Sequence, residues 1–303
     1  DEVALWKRTQ CDICSLRAMF YCPFCCVPLG SPDGVRVPTA TLPWARCDIV
    51  FDDSAKKATS VHAKVLAPAQ VRIIDLFTSD TSLNRTLSRN RVDDAAGRGS
   101  GGLADAETAT VREIPEYDPS CAAVLFPDEG SAPLDEVPAS WDLAPAPELT
   151  LIVIDAPWRR AQALRRHPRL APLRSVRLRR PPTSRFWRYH AEGPGCVSTI
   201  EALAEAALET QRASFANSPT PPPPAMAGDH PLLFFFTRQW AYIAAMSLGG
   251  GELPTDEAAK ERRSARVRQK DRAKRLRPMG AGESPPVASS GNAGGCDSPA
   301  APT

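Results

Sequence analysis

Two pairs of cysteines near the start of the chain have the spacing of a metal site. Cys11 and Cys14 form one CxxC pair, and Cys22 and Cys25 form a second pair after seven intervening residues. Four thiolates at this spacing can surround one zinc ion, and a closed four-cysteine site is structural rather than catalytic. Cys26 offers a fifth thiol, so the spacing leaves the fourth ligand open between Cys25 and Cys26. The alternative is a loop that buries small cysteine side chains without metal.

An aspartate follows one of the two longest apolar runs of the chain. Residues 151–154 read Leu-Ile-Val-Ile, and the segment Asp155-Ala-Pro-Trp158 comes next. Such a run is typical of a strand buried on both faces of a parallel sheet, where ligands bind at the carboxyl ends of strands. Asp155 is therefore a candidate general base or polar cofactor contact. The alternative is that Asp155 only caps a helix that begins near Trp158.

The segment Ser198-Thr-Ile-Glu201 has the pattern of a helix start. Ser198 and Glu201 fit a capping box, which is sufficient by itself to explain both residues. The N-terminus of a helix also presents free N–H groups and partial positive charge, which suits a ligand carboxylate. Gly193 and Gly195 lie just upstream and allow close approach of the backbone. The segment is compatible with both roles.

Residues 158–190 contain only positive charge. Arginine favours two-point contact with phosphates and stacking on bases. Phe186, Trp187 and Tyr189 lie among the arginines, as stacking platforms for unpaired bases would. The stretch favours an RNA-binding surface over an ordinary solvated charge run, which usually contains both signs, although the aromatic residues could instead belong to the core. The eleven arginines are Arg159, Arg160, Arg165, Arg166, Arg169, Arg174, Arg177, Arg179, Arg180, Arg185 and Arg188.

The composition of the 303 residues limits the class of protein. Apolar residues make up 43%, which excludes wholesale disorder, and the net charge is +2. Residues 1–157 hold 14 Lys/Arg and 23 Asp/Glu, a net charge of −9, whereas residues 158–303 hold 23 and 12, a net charge of +11. This asymmetry indicates a nucleic-acid or membrane partner. No membrane span or signal peptide is visible, although the chain begins without Met. Nine cysteines, mostly near the start, favour metal binding in a reducing compartment.

Short apolar runs predict the strands, and runs with helical spacing predict the helices. We interpret residues 48–76, which include the runs Val61–Leu66 and Val71–Leu76, as strands and their connections. Further strands are predicted at 122–126 and 149–154, and a weaker one at 176–178. The predicted helices are Trp158–Arg166, Ser198–Phe215 and Leu232–Leu248. The pattern predicts an α/β fold with a parallel sheet.

Composition also predicts the division of the chain. Residues 1–47 form a cysteine-rich zinc-binding segment, and residues 48–250 form the main domain. A polar, glycine-containing insert at 78–118 is expected to be flexible and to add nothing to the core. Residues 251–303 are expected to be a disordered tail, first basic and then rich in Pro, Ala and Gly. The basic run Lys260–Arg277 suits a nuclear import signal or a helical RNA arm.

Taken in order, these segments resemble the DTW-domain family of tRNA-uridine aminocarboxypropyltransferases, and among them the first of the two eukaryotic forms. The resemblance covers about residues 10–248. No single motif is highly specific, but the ordered set is. The matching segments are Cys11-Asp-Ile-Cys14, Met19-Phe-Tyr-Cys22-Pro-Phe-Cys25, His62-Ala-Lys-Val-Leu-Ala-Pro68, Leu125-Phe-Pro127, Asp155-Ala-Pro-Trp158, Phe186-Trp-Arg188, Ser198-Thr-Ile-Glu-Ala202 and Leu232-Leu-Phe-Phe-Phe236.

The resemblance implies an activity and a fold. The family transfers the 3-amino-3-carboxypropyl group of S-adenosylmethionine to N3 of a tRNA uridine, with the D-loop as the expected location, and releases methylthioadenosine. The implied fold is a SPOUT-like knotted α/β domain with an N-terminal zinc-knuckle-like segment. The family motif is Asp-x-Thr-Trp, and Pro157 replaces its Thr here, so any hydrogen bond of that hydroxyl is lost. Proline in the first turn of a helix is structurally acceptable.

We therefore expect a transferase with S-adenosylmethionine as co-substrate, structural zinc, tRNA as partner, no obligate protein partner and a nuclear, and in part cytoplasmic, location. Asp155 is the expected catalytic residue. The alternatives are an S-adenosylmethionine-dependent RNA methyltransferase and a non-catalytic RNA-binding protein. The expected site residues are, for the cofactor, Phe126, Pro127, Trp158, Ser198, Thr199 and Glu201; for RNA, Arg159, Arg160, Arg179, Arg180, Arg185 and Arg188; and for zinc, Cys11, Cys14, Cys22 and Cys25.

Overall fold

A computed structural model describes residues 2–76, 113–137, 141–188, 196–216, 230–248, 260–262, 264–266 and 268–269. Four short strands lie in the cysteine-rich segment, and six more follow. The short strands are β1 (Thr9–Gln10), β2 (Arg17–Ala18), β3 (Tyr21–Cys22) and β4 (Val27–Pro28). The others are β5 (Arg46–Phe51), β6 (Val71–Asp75), β7 (Ala122–Leu125), β8 (Ala132–Pro133), β9 (Thr150–Asp155) and β10 (Arg174–Arg177).

The six later strands form one sheet in the order β6-β5-β9-β7-β10-β8, and each pairing between neighbours is parallel. Parallel strands need crossover connections, and two of these, from β5 to β6 and from β9 to β10, contain an α-helix. The predicted α/β class with a parallel sheet is confirmed. The helices are α1 (Val61–Leu66), α2 (Trp158–Arg165), α3 (Thr199–Ala216) and α4 (Phe234–Leu248), the last preceded by a 3-10 turn at Pro231–Leu233.

The core lies on both faces of the sheet. Successive residues of β5 show this, because Ile49 packs into the larger cluster and Val50 into the smaller one. The larger cluster contains residues of α1, α3 and α4, and the smaller contains Ala161 and Leu164 of α2. Burial on both faces explains why β7 and most of β9 are continuous apolar runs. No helix among the described residues is long and apolar enough to cross a membrane.

Two expectations about local structure are corrected. The run Val61–Leu66 is helix α1, a connection between the parallel strands β5 and β6 and not a strand; five of its six residues are buried, so no alternation could mark it. The end of the predicted insert does contribute to the core. Ile114 is 2% exposed in the smaller cluster, and Tyr117 Oη donates to Asp48 Oδ2 at 2.9 Å. Residues 77–112 of the insert lie outside the described residues.

The cysteine-rich segment packs its aromatic residues into the larger core cluster. Tyr21 contacts Phe235 of α4 with ring centres 5.2 Å apart. Tyr21 Oη lies 2.8 Å from His62 Nε2 and accepts a hydrogen bond from Gln239 Nε2 at 3.1 Å. Burial lowers the pKa of His62 to about 3, so the imidazole is neutral at physiological pH. The segment is thus tied to α1 and α4 through one buried tyrosine.

The chain divides into two units, residues 1–261 and 262–303. The first contains the sheet, helices α1 to α4 and the cysteine-rich segment. Of the second, only helical residues between 262 and 269 are described, and the rest of the predicted disordered tail lies outside the described residues. The predicted boundary at residue 250 also falls outside them and stays a prediction.

Candidate functional site

Asp155 is the last residue of β9, at the carboxyl edge of the sheet. It pairs in register with Phe51 of β5, and Asp52 N donates to the Asp155 carbonyl at 3.0 Å. Strands β5 and β9 are central in the sheet, with β7 on the far side of β9. Ligands of parallel sheets bind outside the carboxyl ends of the strands. Asp155 therefore lies where the fold predicts a ligand site.

The Asp155 carboxyl is held by α3. Thr199 Oγ1 donates to Asp155 Oδ1 at 2.9 Å. The other oxygen, Oδ2, is buried and has no hydrogen-bond partner among the described residues, and the buried Ser60 hydroxyl nearby also has none. Burial raises the pKa of Asp155, and this effect outweighs the opposing influence of the Thr199 hydrogen bond and of the nearby Ser60. Unpaired buried polar atoms are uncommon, and one at the carboxyl edge of a parallel sheet is a candidate functional group.

Asp155 does not cap helix α2 in the described part of the chain. The residue at the N-cap of α2 is Pro157, whose carbonyl accepts from Arg160 N at 2.7 Å and Ala161 N at 2.9 Å. The capping alternative for Asp155 is therefore not what the structure shows. The Asp155 side chain instead accepts a hydrogen bond from Thr199.

An aromatic wall lies beside the Asp155 strand. Phe126 directly follows β7, and its ring stacks on that of Trp158 with centres 5.3 Å apart and planes 7° from parallel. Both rings line a cavity of about 400 Å³. This volume is within the range of small-molecule sites. The residues that line the cavity are Phe126, Pro127, Asp128, Trp158, Gln162, Arg165, Arg166 and Ala171.

The structure brings the predicted cofactor residues into two neighbouring groups. Phe126, Pro127 and Trp158 line the cavity at the ends of β7 and β9. Thr199 contacts Asp155 at the other group, near the end of β5. Neither Asp155 nor Thr199 lines the cavity. Both groups lie at the ends of the neighbouring strands β7 and β9, with Phe126 and α2 in the smaller core cluster and α3 in the larger.

Ser198 and Glu201 form the predicted capping box. Ser198 N and Oγ donate to Glu201 Oε2 at 2.9 and 2.7 Å. The same carboxylate accepts from Ser184 Oγ at 2.9 Å and from Arg185 N at 2.7 Å. These bonds lie inside the protein, with Glu201 5% exposed. Glu201 therefore fastens residues 184–185 to α3, and its contact with a cofactor stays a prediction.

Two residues near Asp155 were missed by the sequence analysis. Ser60 precedes α1 and acts on the Asp155 carboxyl, and the Asp53 charge also raises the pKa of Asp155. Asp53 lies in the segment that follows β5. The signal was available, because Asp52-Asp-Ser54 comes directly after the apolar strand that ends at Phe51. A polar group at the end of a parallel strand is a site candidate wherever it occurs.

The arginine-rich stretch is less positive than its sequence indicates. Acidic residues from elsewhere in the chain pair with it, so the absence of Asp and Glu within 158–190 does not describe the folded surface. Arg159 and Arg180 are exposed and form no ion pair within the described residues. The ion pairs are Arg160 with Asp52, Arg165 with Asp128, Arg169 with Glu113, and Arg179 with Asp135 and Glu136.

The expected role of the aromatic residues in stacking on bases is wrong for two of them. Phe186 and Trp187 are 7% and 8% exposed and belong to the larger core cluster. Trp187 packs on Phe236 of α4 with ring centres 5.5 Å apart. Burial of such large apolar rings is favourable, and residues 184–188 have no periodic pattern that separates core positions from surface positions. Tyr189 lies outside the described residues.

Pro157, which replaces the family Thr, occupies the N-cap of α2. Its φ of −54° and ψ of 140° are the extended geometry of a cap, but no side chain caps the helix there. A Thr at this position could accept a hydrogen bond from the first turn. The Asp155 carboxyl receives its hydroxyl contact from Thr199, so its position does not require a hydroxyl at residue 157.

We expect Pro157→Thr to change stability more than activity. The variant should be about 1 kcal/mol more stable than Pro157→Ala, because both lose the rigidity of proline but only Thr supplies a cap. Thermal melting of the two variants measures this difference. Initial transfer rates should stay within about threefold of wild type. A gain of tenfold or more in Pro157→Thr would show instead that a hydroxyl here takes part in the reaction.

The four predicted zinc ligands meet in one place. Cys11 and Cys14 lie in the turn between β1 and β2, and Cys22 and Cys25 lie in the hairpin of β3 and β4. Their Sγ atoms all lie within 4.8 Å of one another. Tetrahedral zinc with bonds of about 2.3 Å needs sulfurs about 3.8 Å apart, so a small contraction would suffice. Cys26 is not in the cluster, so the geometry favours Cys25 as the fourth ligand.

The chain resembles known proteins over most of its length. It matches the family model described as DTW domain over residues 19–243. It is 31% identical over 206 residues to tRNA-uridine aminocarboxypropyltransferase 1 of Mus musculus, an alignment covering 65% of this chain and 66% of that protein. It is 27% identical over 222 residues to the Xenopus tropicalis protein of the same name, covering 67% and 70%. The chain thus spans about two thirds of these relatives.

No solved structure gives a significant match to this chain. The family match begins in the cysteine-rich segment and ends within α4, so it contains the whole six-stranded sheet together with Asp155 and Thr199. With a parallel sheet, a carboxylate at its central carboxyl edge and a match over well more than half of its residues, this chain belongs to the DTW-domain family.

Proposed function

We propose that this protein transfers the 3-amino-3-carboxypropyl group of S-adenosylmethionine to N3 of a tRNA uridine. The observation that carries the proposal is the Asp155 carboxyl, which Thr199 holds at one oxygen and whose other oxygen has no hydrogen-bond partner within the described residues. The names of the relatives supply the reaction class. The products would be 3-(3-amino-3-carboxypropyl)uridine in tRNA and methylthioadenosine.

Asp155 has the chemistry that the step requires. Uracil N3–H is a weak acid, and the nitrogen must lose its proton before it can attack carbon. We assign Asp155 as the group that accepts this proton, because its raised pKa makes it a stronger base than an ordinary carboxylate. As N3 bonds to the methylene carbon, the C–S bond breaks and its electron pair goes to sulfur. Thr199 fixes the carboxyl during this step.

The donor site fits the residues at the carboxyl edge. S-adenosylmethionine supplies an electrophilic carbon beside its sulfonium. The stacked Phe126 and Trp158 offer an aromatic wall for an adenosine part, and the adjoining cavity has the volume of a small-molecule site. Asp155 would face the cationic end. Presenting the long carbon chain, and not the methyl group, to the nucleophile is a matter of position, which rigid strand ends favour.

The by-product of the reaction identifies which group of S-adenosylmethionine is transferred. We expect purified protein, S-adenosylmethionine and unmodified tRNA to give methylthioadenosine in equal amount to the modified nucleoside, both measured by mass spectrometry. A methyltransferase would release S-adenosylhomocysteine and methylated nucleoside instead. An RNA-binding protein without activity would give neither product while still binding tRNA. Either of these two results would contradict the proposal.

We assign tRNA binding to the exposed arginines beside the site. Arg159 directly follows Trp158 in the first turn of α2. Arg180 and Arg185 are exposed on the segment that Glu201 and Glu209 tie to α3. Glu209 accepts from Arg179 N at 3.0 Å. Arg160 and Arg179 have acidic partners and should contribute less. An unpaired uridine, as in the D-loop, costs least to expose at N3.

Affinity for tRNA should fall steeply with salt and should depend on these arginines. Replacement of Arg159, Arg180 and Arg185 by Gln is expected to reduce the slope of log affinity against log salt by about two, at 0.7 to 0.9 per phosphate contact. Filter binding at several salt concentrations measures the slope. Arg212→Gln, which removes an exposed arginine paired with Glu205, should leave it unchanged. A slope equal in all three proteins would argue against this surface.

Three further proposals concern the topology of the chain, the cysteine cluster and the basic run 260–277. A SPOUT-like knot is supported by the parallel sheet, and structural zinc by the four clustered sulfurs. A nuclear location is supported by the basic run 260–277, within which Lys260 is buried and donates to the Ser184 carbonyl at 3.4 Å. A fusion of residues 260–277 to a fluorescent protein tests the import signal directly.

A further inference from the structure

Arg188 is a half-buried guanidinium with no ion pair among the described residues. Its one hydrogen bond there runs from Nη1 to the Lys57 carbonyl at 2.7 Å. Its Cζ lies 5.3 Å from the ring centre of Phe186, so one face of the guanidinium is covered. The remaining N–H donors have no partner in the described part of the chain. A guanidinium withdrawn from water without a direct ion pair has unused N–H donors, which points to an anion that arrives with a ligand.

The position of Arg188 connects it to Asp155. Lys57, which accepts its hydrogen bond, lies in the segment between β5 and α1. The same segment contacts Asp155 at one end through Asp52 N, at 3.0 Å. Asp53 and Asp155 are the carboxylates whose charges act on the Arg188 guanidinium, together with the Tyr21 hydroxyl. Arg188 therefore faces the reaction site and not the open arginine surface.

The protein holds Arg188 in this position in advance. Glu201 binds Ser184 and Arg185, which precede it in the chain. Phe186 and Trp187 are then locked into the core against Phe236. A guanidinium fixed by its neighbours loses little freedom when it binds a ligand. This rigidity is typical of a binding residue and is not needed for a solvated surface charge.

The start of helix α3 is less available for a ligand carboxylate than its sequence indicates. Ser198 N and Oγ are used by Glu201 Oε2. Ile200 N donates to Thr59 Oγ1 at 3.4 Å. Donors that already have partners inside the protein are poor candidates for an anion. Arg188 retains several donors and a full positive charge, and a guanidinium binds a carboxylate through two parallel hydrogen bonds.

The charges around the site are complementary to the proposed donor. Asp53, Asp155 and Arg188 provide two negative groups and one positive group. S-adenosylmethionine carries two positive groups, the sulfonium and the ammonium, and one negative group, the carboxylate. With Asp155 at the reacting end, the guanidinium remains for the carboxylate. Electrostatic complementarity of this kind fixes the orientation of a ligand.

We propose that Arg188 binds the carboxylate of the amino-acid part of S-adenosylmethionine and so presents the long carbon chain to the nucleophile. This assignment rests on the proposed function and names the residue that decides which group is transferred. It separates Arg188 from the exposed Arg159, Arg180 and Arg185, which we assign to RNA. Arg188 becomes a donor-specificity residue.

Calorimetric binding of three ligands tests the assignment. S-adenosylmethionine and S-adenosylhomocysteine carry the amino-acid part, and methylthioadenosine lacks it. We expect Arg188→Met to weaken the first two at least tenfold and to leave methylthioadenosine within twofold of wild type. Arg188→Lys, which keeps the charge but not the two-point contact, should show a smaller loss of the same two ligands. Retained binding of methylthioadenosine shows that each variant is folded.

The matched control is Arg174→Met, because Arg174 also lies 5.3 Å from an aromatic ring, that of Trp141, but at the start of β10. It should bind all three ligands like wild type. Equal donor affinity in Arg188→Met and wild type, or a parallel loss of all three ligands, overturns the assignment alone. Loss of tRNA affinity with unchanged donor affinity also overturns it, in favour of an RNA contact. A wild-type protein that binds none of the three overturns the proposed function.

Discussion

Asp155→Asn should reduce aminocarboxypropyl transfer by about 10²- to 10⁴-fold, the usual contribution of a general base. The substitution keeps the shape of the side chain, and its carbonyl oxygen can still accept from Thr199. What it removes is the basic oxygen that has no partner in the described structure. Quantitative mass spectrometry of digested tRNA measures the loss. Full activity in this variant would show that another group receives the N3 proton.

The stability of the same variant provides a check on the cause. Burial raises the Asp155 pKa in the folded state, so the folded protein holds its proton more tightly than the unfolded chain does. The free energy of unfolding therefore falls as the pH rises above the ordinary carboxyl range. At neutral pH the buried charge of Asp155 destabilises the folded protein. Asp155→Asn should melt at the same temperature as wild type or higher. Lower activity with unimpaired stability identifies a chemical role and not a folding defect.

Asp118→Asn is the matched control for these measurements. Asp118 is exposed and lies before β7, at the amino end of the strands. Its Oδ1 accepts from Ser120 N at 2.9 Å, and this contact is local. The activity of Asp118→Asn should be unchanged.

The wild-type rate should rise with pH through a pKa above the ordinary value for Asp. This pH dependence should vanish in Asp155→Asn.

The parts of the fold that follow from local chemistry could be predicted. Strand β9 is an apolar run of a kind found in buried parallel strands, and its observed bounds are Thr150–Asp155. Helix α3 begins at Thr199, directly after Ser198, the first residue of the predicted capping box. Once β9 is a parallel strand, its carboxyl end is a ligand site by general rule, which is why Asp155 could be found. Each of these inferences uses neighbours in sequence.

Interactions between distant residues could not be predicted in the same way. Arg179 pairs with Asp135, 44 positions away, and Arg160 pairs with Asp52, 108 positions away. The charge of a surface depends on such partners, so an arginine-only stretch need not be an arginine-only face. Likewise, whether Trp187 stacks on a base or on Phe236 depends on the position of α4. Contacts between residues distant in sequence determine the charge of this surface and the burial of Trp187, and no local sequence pattern predicts such contacts.

Glu201 shows that a residue can occupy the predicted motif and still have a different role from the one predicted. Its spacing from Ser198 predicts the capping box, and that box is present. The remaining bonds to Ser184 and Arg185 come from a segment earlier in the chain. A carboxylate with four protein donors has little capacity left for a ligand. The functional consequence passes to Arg188, whose position depends on that fastening.

Loss of any one cysteine of the cluster should strongly destabilise the protein. With free zinc a thousandfold above its Kd, a bound ion stabilises the folded state by about 4 kcal/mol. Cys22 is fully buried, and Tyr21 beside it packs against α1 and α4, so disorder at the site would reach the main core. We expect Cys22→Ser and Cys25→Ser to lose bound zinc and to melt at a much lower temperature. Elemental analysis and thermal melting measure the two effects.

Cys26→Ser is the control that separates the fourth ligand from its neighbour. Cys26 has a left-handed backbone with φ of +53°, which serine adopts as readily as cysteine, so the substitution adds no backbone strain. Because Cys26 lies outside the cluster of sulfurs, this variant should keep one equivalent of zinc. Zinc retained in Cys25→Ser and lost in Cys26→Ser would reverse the assignment. Wild-type protein purified with less than half an equivalent of zinc would contradict the metal site itself, and the close thiols would then be a buried cluster without an ion.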